Sequence, residues 1–157
     1  MRTFIIEFPK DNVVVRANLL DEKAPQTCEA FWNIIEVPLE TSGKHAMYTG
    51  KEISVQFPQE RCGSTALHEV RPENQTCFPQ PGELLFTYVG AYAWEGMPKP
   101  IYDVGCFYGP DARTFFPMGW LPGNKFAKVW DEDLEKFAEM GTKASNEGIQ
   151  PMVFKRG

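Results

Sequence analysis

The sequence predicts a mainly β protein, a barrel of seven or eight strands with two helices capping its open ends. Its 157 residues fit one domain, residues 1–157, and can bury about two-thirds of the unfolded chain's surface without staples. The 13 glycines and 13 prolines are scattered rather than gathered in a tract, which calls for many tight turns. Between those turns, short strand-like runs outnumber helical ones.

Residues 3–8 (TFIIEF) and 12–19 (NVVVRANL) read as strands, and Pro9-Lys10-Asp11-Asn12 between them carries turn chemistry, so the chain opens with a hairpin. Pro25 stands in the first turn of a helix predicted over 25–36, where Phe31, Ile34 and Ile35 recur at helical spacing until Pro38 ends the run. Residues 44–49 and 52–57 form a strand pair around Gly50. In the second arm Ile53, Val55 and Phe57 share one face, and Glu52, Ser54 and Gln56 share the other. Residues 58–81 are polar, hold Pro58, Pro72, Pro79 and Pro81, and read as a long loop of the kind that carries function or forms a lid. Residues 83–89 (ELLFTYV) have the near-continuous apolar character of a buried strand, and 101–109 form another, with an irregular excursion between them that carries Tyr92 and Trp94. Asp131 caps a second helix with Trp130, Leu134, Phe137 and Ala138 as its apolar stripe and Gly141 or Gly148 near its end. Residues 150–154 supply a closing strand.

Composition removes several function classes. Sixteen Lys+Arg against 21 Asp+Glu leave a net charge of -5, which argues against nucleic acid as the partner. No apolar run approaches the roughly 20 residues of a membrane span. The opening Met1-Arg2-Thr3 leads straight into a strand rather than a signal sequence, so the expectation is a cytoplasmic protein that meets no membrane. Cys28, Cys62, Cys77 and Cys106 are dispersed without a C-x-x-C, and His45 and His68 are the only histidines, so free thiols and no metal site are expected. The chain holds no P-loop, dinucleotide fingerprint or Ser-His-Asp order, and an enzyme built on it should work without a bound cofactor.

The order of segments resembles a known superfamily. LLDEKAPQTCEAFW (19–32) resembles the cyclophilin-type stretch in which a strand, an acid, Ala-Pro-x-Thr and a Phe-bearing helix follow one another. TGKEISVQFP (49–58), PGELLFTY (81–88) and IYDVGCFYGP (101–110) resemble strands of the small bacterial cyclophilin-like proteins, and LPGNKFAKVWDEDLEKF (121–137) resembles their late Gly-Asn-x-Phe turn and second helix. Within that superfamily the chain looks most like an uncharacterised bacterial and archaeal family whose better-known relatives are the cucumopine and mikimopine synthases. The resemblance implies a cyclophilin-like closed β-barrel with two capping helices. It also implies a cofactor-free Pictet–Spengler reaction, in which L-histidine or a related amine condenses with 2-oxoglutarate or another 2-oxo acid and a ring closes. True cyclophilins carry a Phe-His-Arg stretch in their isomerase site. Here the corresponding residues are Lys44-His45-Ala46-Met47, with no arginine, so prolyl isomerase activity is not expected.

Such a reaction needs an acid, a base and cations for carboxylates. His45 lies in the segment that carries the cyclophilin site and titrates near neutrality when unperturbed. Glu52 points away from the barrel core, where these folds keep their site, and a desolvated carboxylate there would serve as acid or base. His45 and Glu52 are therefore the expected acid–base pair. Arg113 and Lys51 are the expected carboxylate holders, and Tyr48, Trp94 and Tyr108 the aromatic walls of a small-molecule pocket. Each also has a plainer reading as a solvated or packing side chain, as do Arg61 and Arg71 on the long loop, Trp120, and Glu83 and Asp103 at polar points of apolar strands. The competing function class is a non-catalytic ligand-binding or regulatory module of a larger metabolic assembly. With 13% aromatic residues and exposed strands to cover, a homo-oligomer is also expected.

Overall fold

The computed structural model describes residues 1–63, 70–94 and 96–157; His68, and with it part of the long loop expected over 58–81, lies outside the described residues. In chain order the strands are β1 (Thr3–Phe8), β2 (Val13–Leu19), β3 (Leu39–His45), β4 (Glu52–Gln56), β5 (Gln75–Thr76), β6 (Glu83–Val89), β7 (Ile101–Phe107), β8 (Phe115–Phe116), β9 (Gly119–Trp120), β10 (Gly123–Val129) and β11 (Gln150–Arg156). The helices are α1 (Pro25–Ile34), α2 (Gln59–Cys62) and α3 (Leu134–Glu147). No helix among the described residues is long and apolar enough to cross a membrane.

The large sheet runs β2-β1-β11-β3-β4-β7-β6-β10, with β5 on β10, and β10 returns to pair with β2. That last pairing closes an antiparallel barrel of eight strands. The opening hairpin has the expected register, Thr3 opposite Asn18 and Phe8 opposite Val13, and Asn12 takes the left-handed conformation its turn requires.

Inward-facing side chains fill the barrel. Ile53 and Val55 from β4, Leu84 and Phe86 from β6 and Val104 and Cys106 from β7 all belong to one buried cluster with β1, β2, β10 and β11. Helix α1 contributes Phe31, whose ring lies 4.8 Å from Phe4 and 4.9 Å from Phe126, so the helix plugs the barrel with an aromatic side chain. Helix α3 packs on β2, β3 and β4 and buries Phe137, Met140 and Ala144.

Several details depart from the sequence reading, among them α2 and β5 within the span expected as a loop and the short β8–β9 hairpin. The first arm of the pair around Gly50 is β3, which starts at Leu39 and ends at His45, because its inward positions Thr41, Gly43 and His45 are small or polar and give no apolar alternation. Strand β10 was not expected. A bulge between Lys125 and Ala127 buries Phe126 and Ala127 side by side and erases the period of two. Of the two glycines expected near the end of α3, Gly148 forms its C-cap, whereas Gly141 lies mid-helix, where a Cβ would run into the Tyr108 ring. Asp131 makes no side-chain cap. A 3-10 turn over Asp131–Asp133 precedes α3, and the buried Asp133 carboxylate instead takes the Arg16 backbone N–H and guanidinium at 2.8–2.9 Å, with Lys136 at 3.0 Å.

Candidate active site

The outward face of β4 and β7 forms the floor of a cleft of about 310 Å³, within the size range of small-molecule pockets. Side chains alternate along a strand, so the positions that skip Ile53 and Val55 point out of the barrel: Glu52, Ser54 and Gln56. Across the ladder Ser54 faces Gly105, and Gln56 faces Asp103. Leu85 and Thr87 of β6 extend the same face, and a small apolar cluster of Leu85, Phe107 and Ala112 lies beside it, separate from the barrel core. The 46–49 turn, Trp94, and Phe116 and Met118 from the β8–β9 hairpin form the other walls.

Glu52 is only 5% exposed. Its Oε1 accepts a 2.5 Å hydrogen bond from the buried Thr49 hydroxyl, and its Oε2 lies over Gly105, where a Cβ would collide with it. Burial disfavours the ionised form, and the nearby Asp103 charge acts the same way, so Glu52 is pushed up to about 8 despite the Thr49 bond. Asp103 is half-buried. Its Oδ1 accepts from the Ser54 hydroxyl at 2.6 Å, and burial raises it to about 6. Burial thus favours the protonated form of both carboxyls, and more strongly that of Glu52, which also feels the Asp103 charge.

The cleft gathers Glu52, His45, Tyr48 and Trp94, while Lys51, Arg113 and Tyr108 are not among its lining residues. His45 is engaged at both ring nitrogens. Its Nδ1–H donates to the Ala46 carbonyl at 2.9 Å, so Nε2 is the acceptor for the Tyr108 hydroxyl at 2.7 Å. Tyr108 itself is buried beneath α3 against Gly141. Lys51 is exposed and lies across Gly109, and Arg113 is exposed with its backbone N–H bonded to the Thr49 carbonyl. Arg61 ties down the end of α1 by donating to the Ile34 and Val37 carbonyls. Trp120 packs between Phe78 and Phe115 outside the cleft.

Sequence reasoning left Asp103 as one of several polar strand residues and assigned nothing to Thr49, Ser54 or Lys44, all four of which line the cleft. The signal was present in part. Asp103 and Gly105 interrupt an apolar strand at alternate positions, and the register sets them opposite the polar face of β4.

A family model described as "Protein of unknown function (DUF3830)" matches residues 6–155. No curated protein matches the chain. Among solved structures, the structure of McbB in complex with tryptophan superposes with a TM-score of 0.68 at 19% identity, covering 98% of this chain and 44% of that one. The chain thus spans less than half the length of that structure. The likeness shows the fold, a cyclophilin-like barrel.

Proposed function

The chain belongs to the DUF3830 family, and on that premise we propose that it is a cofactor-independent enzyme that joins an amine to a carbonyl compound and closes a ring on the product. The carrying observation is Glu52, a carboxyl only 5% exposed on the floor of an apolar cleft, where burial and the nearby Asp103 charge both favour its protonated form.

The amine nitrogen adds to the carbonyl carbon to give a carbinolamine. Glu52 gives its proton to the carbinolamine hydroxyl, which leaves as water, and the electron pair on nitrogen forms the iminium. Asp103 faces this cation and stabilises it. A ring carbon of the amine substrate then bonds to the iminium carbon, and the Glu52 carboxylate removes the proton from that ring carbon, which returns Glu52 to its starting state. The sum is amine plus carbonyl compound giving cyclised product plus water.

Tyr48 and Trp94 suit a planar aromatic ring, and the tryptophan complex of McbB, a protein of like fold, supports an aromatic amino acid as the amine. Lys44 is the cation on the cleft wall, so we assign it the carboxylate-pairing role expected for Lys51 and Arg113. His45 serves as a fixed wall, its nitrogens being occupied.

The test is mass spectrometry of the pure protein incubated with L-histidine and 2-oxoglutarate, and separately with L-tryptophan and pyruvate or acetaldehyde. The expected product has the mass of the pair less water and is lost in Glu52→Gln. No product above the protein-free background from any pair removes the enzyme reading and leaves the ligand-binding module.

A further inference from the structure

Thr114 sits at the foot of the β8–β9 hairpin, lines the cleft and is 5% exposed, yet its Oγ1 has no hydrogen-bond partner among the described residues. Its main chain is fully engaged: the N–H donates to the Cys77 carbonyl at 2.9 Å, and the carbonyl accepts from the Leu121 N–H at 3.0 Å. Two other buried side-chain oxygens lack partners, on Asp11 and Gln150, but each belongs to a group whose other polar atom is bonded, to Lys143 and to the Gly148 carbonyl. Thr114 alone of the three has its whole polar group unmatched, and it alone lines the cleft. A buried hydroxyl without a partner costs stability, so its presence on a cleft wall needs a cause.

We propose that the Thr114 hydroxyl is a ligand-binding group, donating to an oxygen of the bound molecule, either its carbonyl or its carboxylate. The neighbouring segments place that oxygen toward the reactive end of the cleft. The Arg113 N–H donates to the Thr49 carbonyl at 3.1 Å, and the Thr49 hydroxyl holds Glu52. The segment leading to Thr114 is thereby tied to the turn that holds the Glu52 carboxyl. The Thr114 hydroxyl is itself screened from solvent, so the proposal requires the hairpin that starts at Phe115 to move outward when a ligand binds.

This assignment rests on the small-molecule reading of the cleft, and Thr114→Val separates the two because valine keeps the shape and removes the hydroxyl. The variant is expected to melt about 2–4 °C above the wild-type protein, since the unmatched group is gone. In thermal-shift measurements with L-tryptophan, L-histidine, pyruvate and 2-oxoglutarate as probes, a probe that stabilises the wild-type protein should bind Thr114→Val about tenfold or more weakly, with Thr114→Ser recovering it. A melting temperature at or below the wild-type value shows that the hydroxyl has a partner within the fold and overturns the assignment. Equal probe binding by the two proteins overturns it too. If no probe shifts the wild-type protein, the assignment falls together with the amine–carbonyl reading, whereas equal binding by both proteins removes the assignment alone.

Discussion

At Glu52, burial and charge push the carboxyl in the same direction, and the Thr49 bond opposes them without winning. The folded protein therefore holds a proton that the unfolded chain releases at the ordinary value of 4.5. Because the folded state binds more protons between that value and about 8, stability falls as pH rises through this window and then levels off. Glu52→Gln keeps an oxygen to accept from Thr49 and cannot ionise. With Asp103 still raised to about 6, its denaturant-derived stability should fall up to that pH, stay flat from there to about 8, and exceed the wild-type value at pH 9 by roughly 1–3 kcal/mol. Parallel pH profiles for the two proteins would show that Glu52 is not desolvated. The position of Glu52 was legible in the sequence, since period two sets it opposite Ile53 and Val55. Its burial was not, because the turn at 46–49 and the hairpin after Thr114 that wall the cleft are recognisable only once the chain has folded.

At the level of elements, the site is a product of one strand pair. β4 presents Glu52 and Ser54, β7 presents Asp103, and Gly105 between Asp103 and Phe107 leaves the space in which the Glu52 carboxylate lies. A methyl at position 105 meets that carboxylate and the Phe107 ring, neither of which can retreat into the packed barrel wall. Gly105→Ala should cost roughly 1–3 kcal/mol of stability and abolish product formation, as the carboxyl is driven out of its seat. Retention of wild-type stability and turnover would place the carboxylate elsewhere. The elements themselves were legible where a strand-like run is unbroken: β1, β2, β4, β6 and β11 begin within a residue of their expected starts. β10 was hidden by its bulge and β3 by its polar and glycine inward positions, and these are the strands on which barrel closure and the His45 contact depend.

On the scale of the whole molecule, the barrel separates its core from the cleft. The aromatic plug of Phe31 and the closing β2–β10 seam hold the interior, while the cleft uses outward positions of the same strands together with His45 at the end of β3. One strand thus contributes Ile53 and Val55 to the core and Glu52 and Ser54 to the site. The fold class followed from turn density and strand count, and the order of motifs sharpened it to the cyclophilin-like barrel. The placement of Asp103 on the face that carries Glu52 did not follow, because it depends on the register of β4 on β7, which sets Asp103 opposite Gln56 and within hydrogen-bond reach of Ser54. The proposed acid–base role rests on the burial of Glu52 and its electrostatic contact with Asp103, and a titration of the side-chain carboxyl carbons by ¹³C NMR reads both directly. With the Glu52 resonance assigned by its loss in Glu52→Gln, the account predicts a midpoint near 8 in the wild-type protein and a clear fall in Asp103→Asn. A midpoint near the ordinary glutamate value, unmoved by Asp103→Asn, would contradict it.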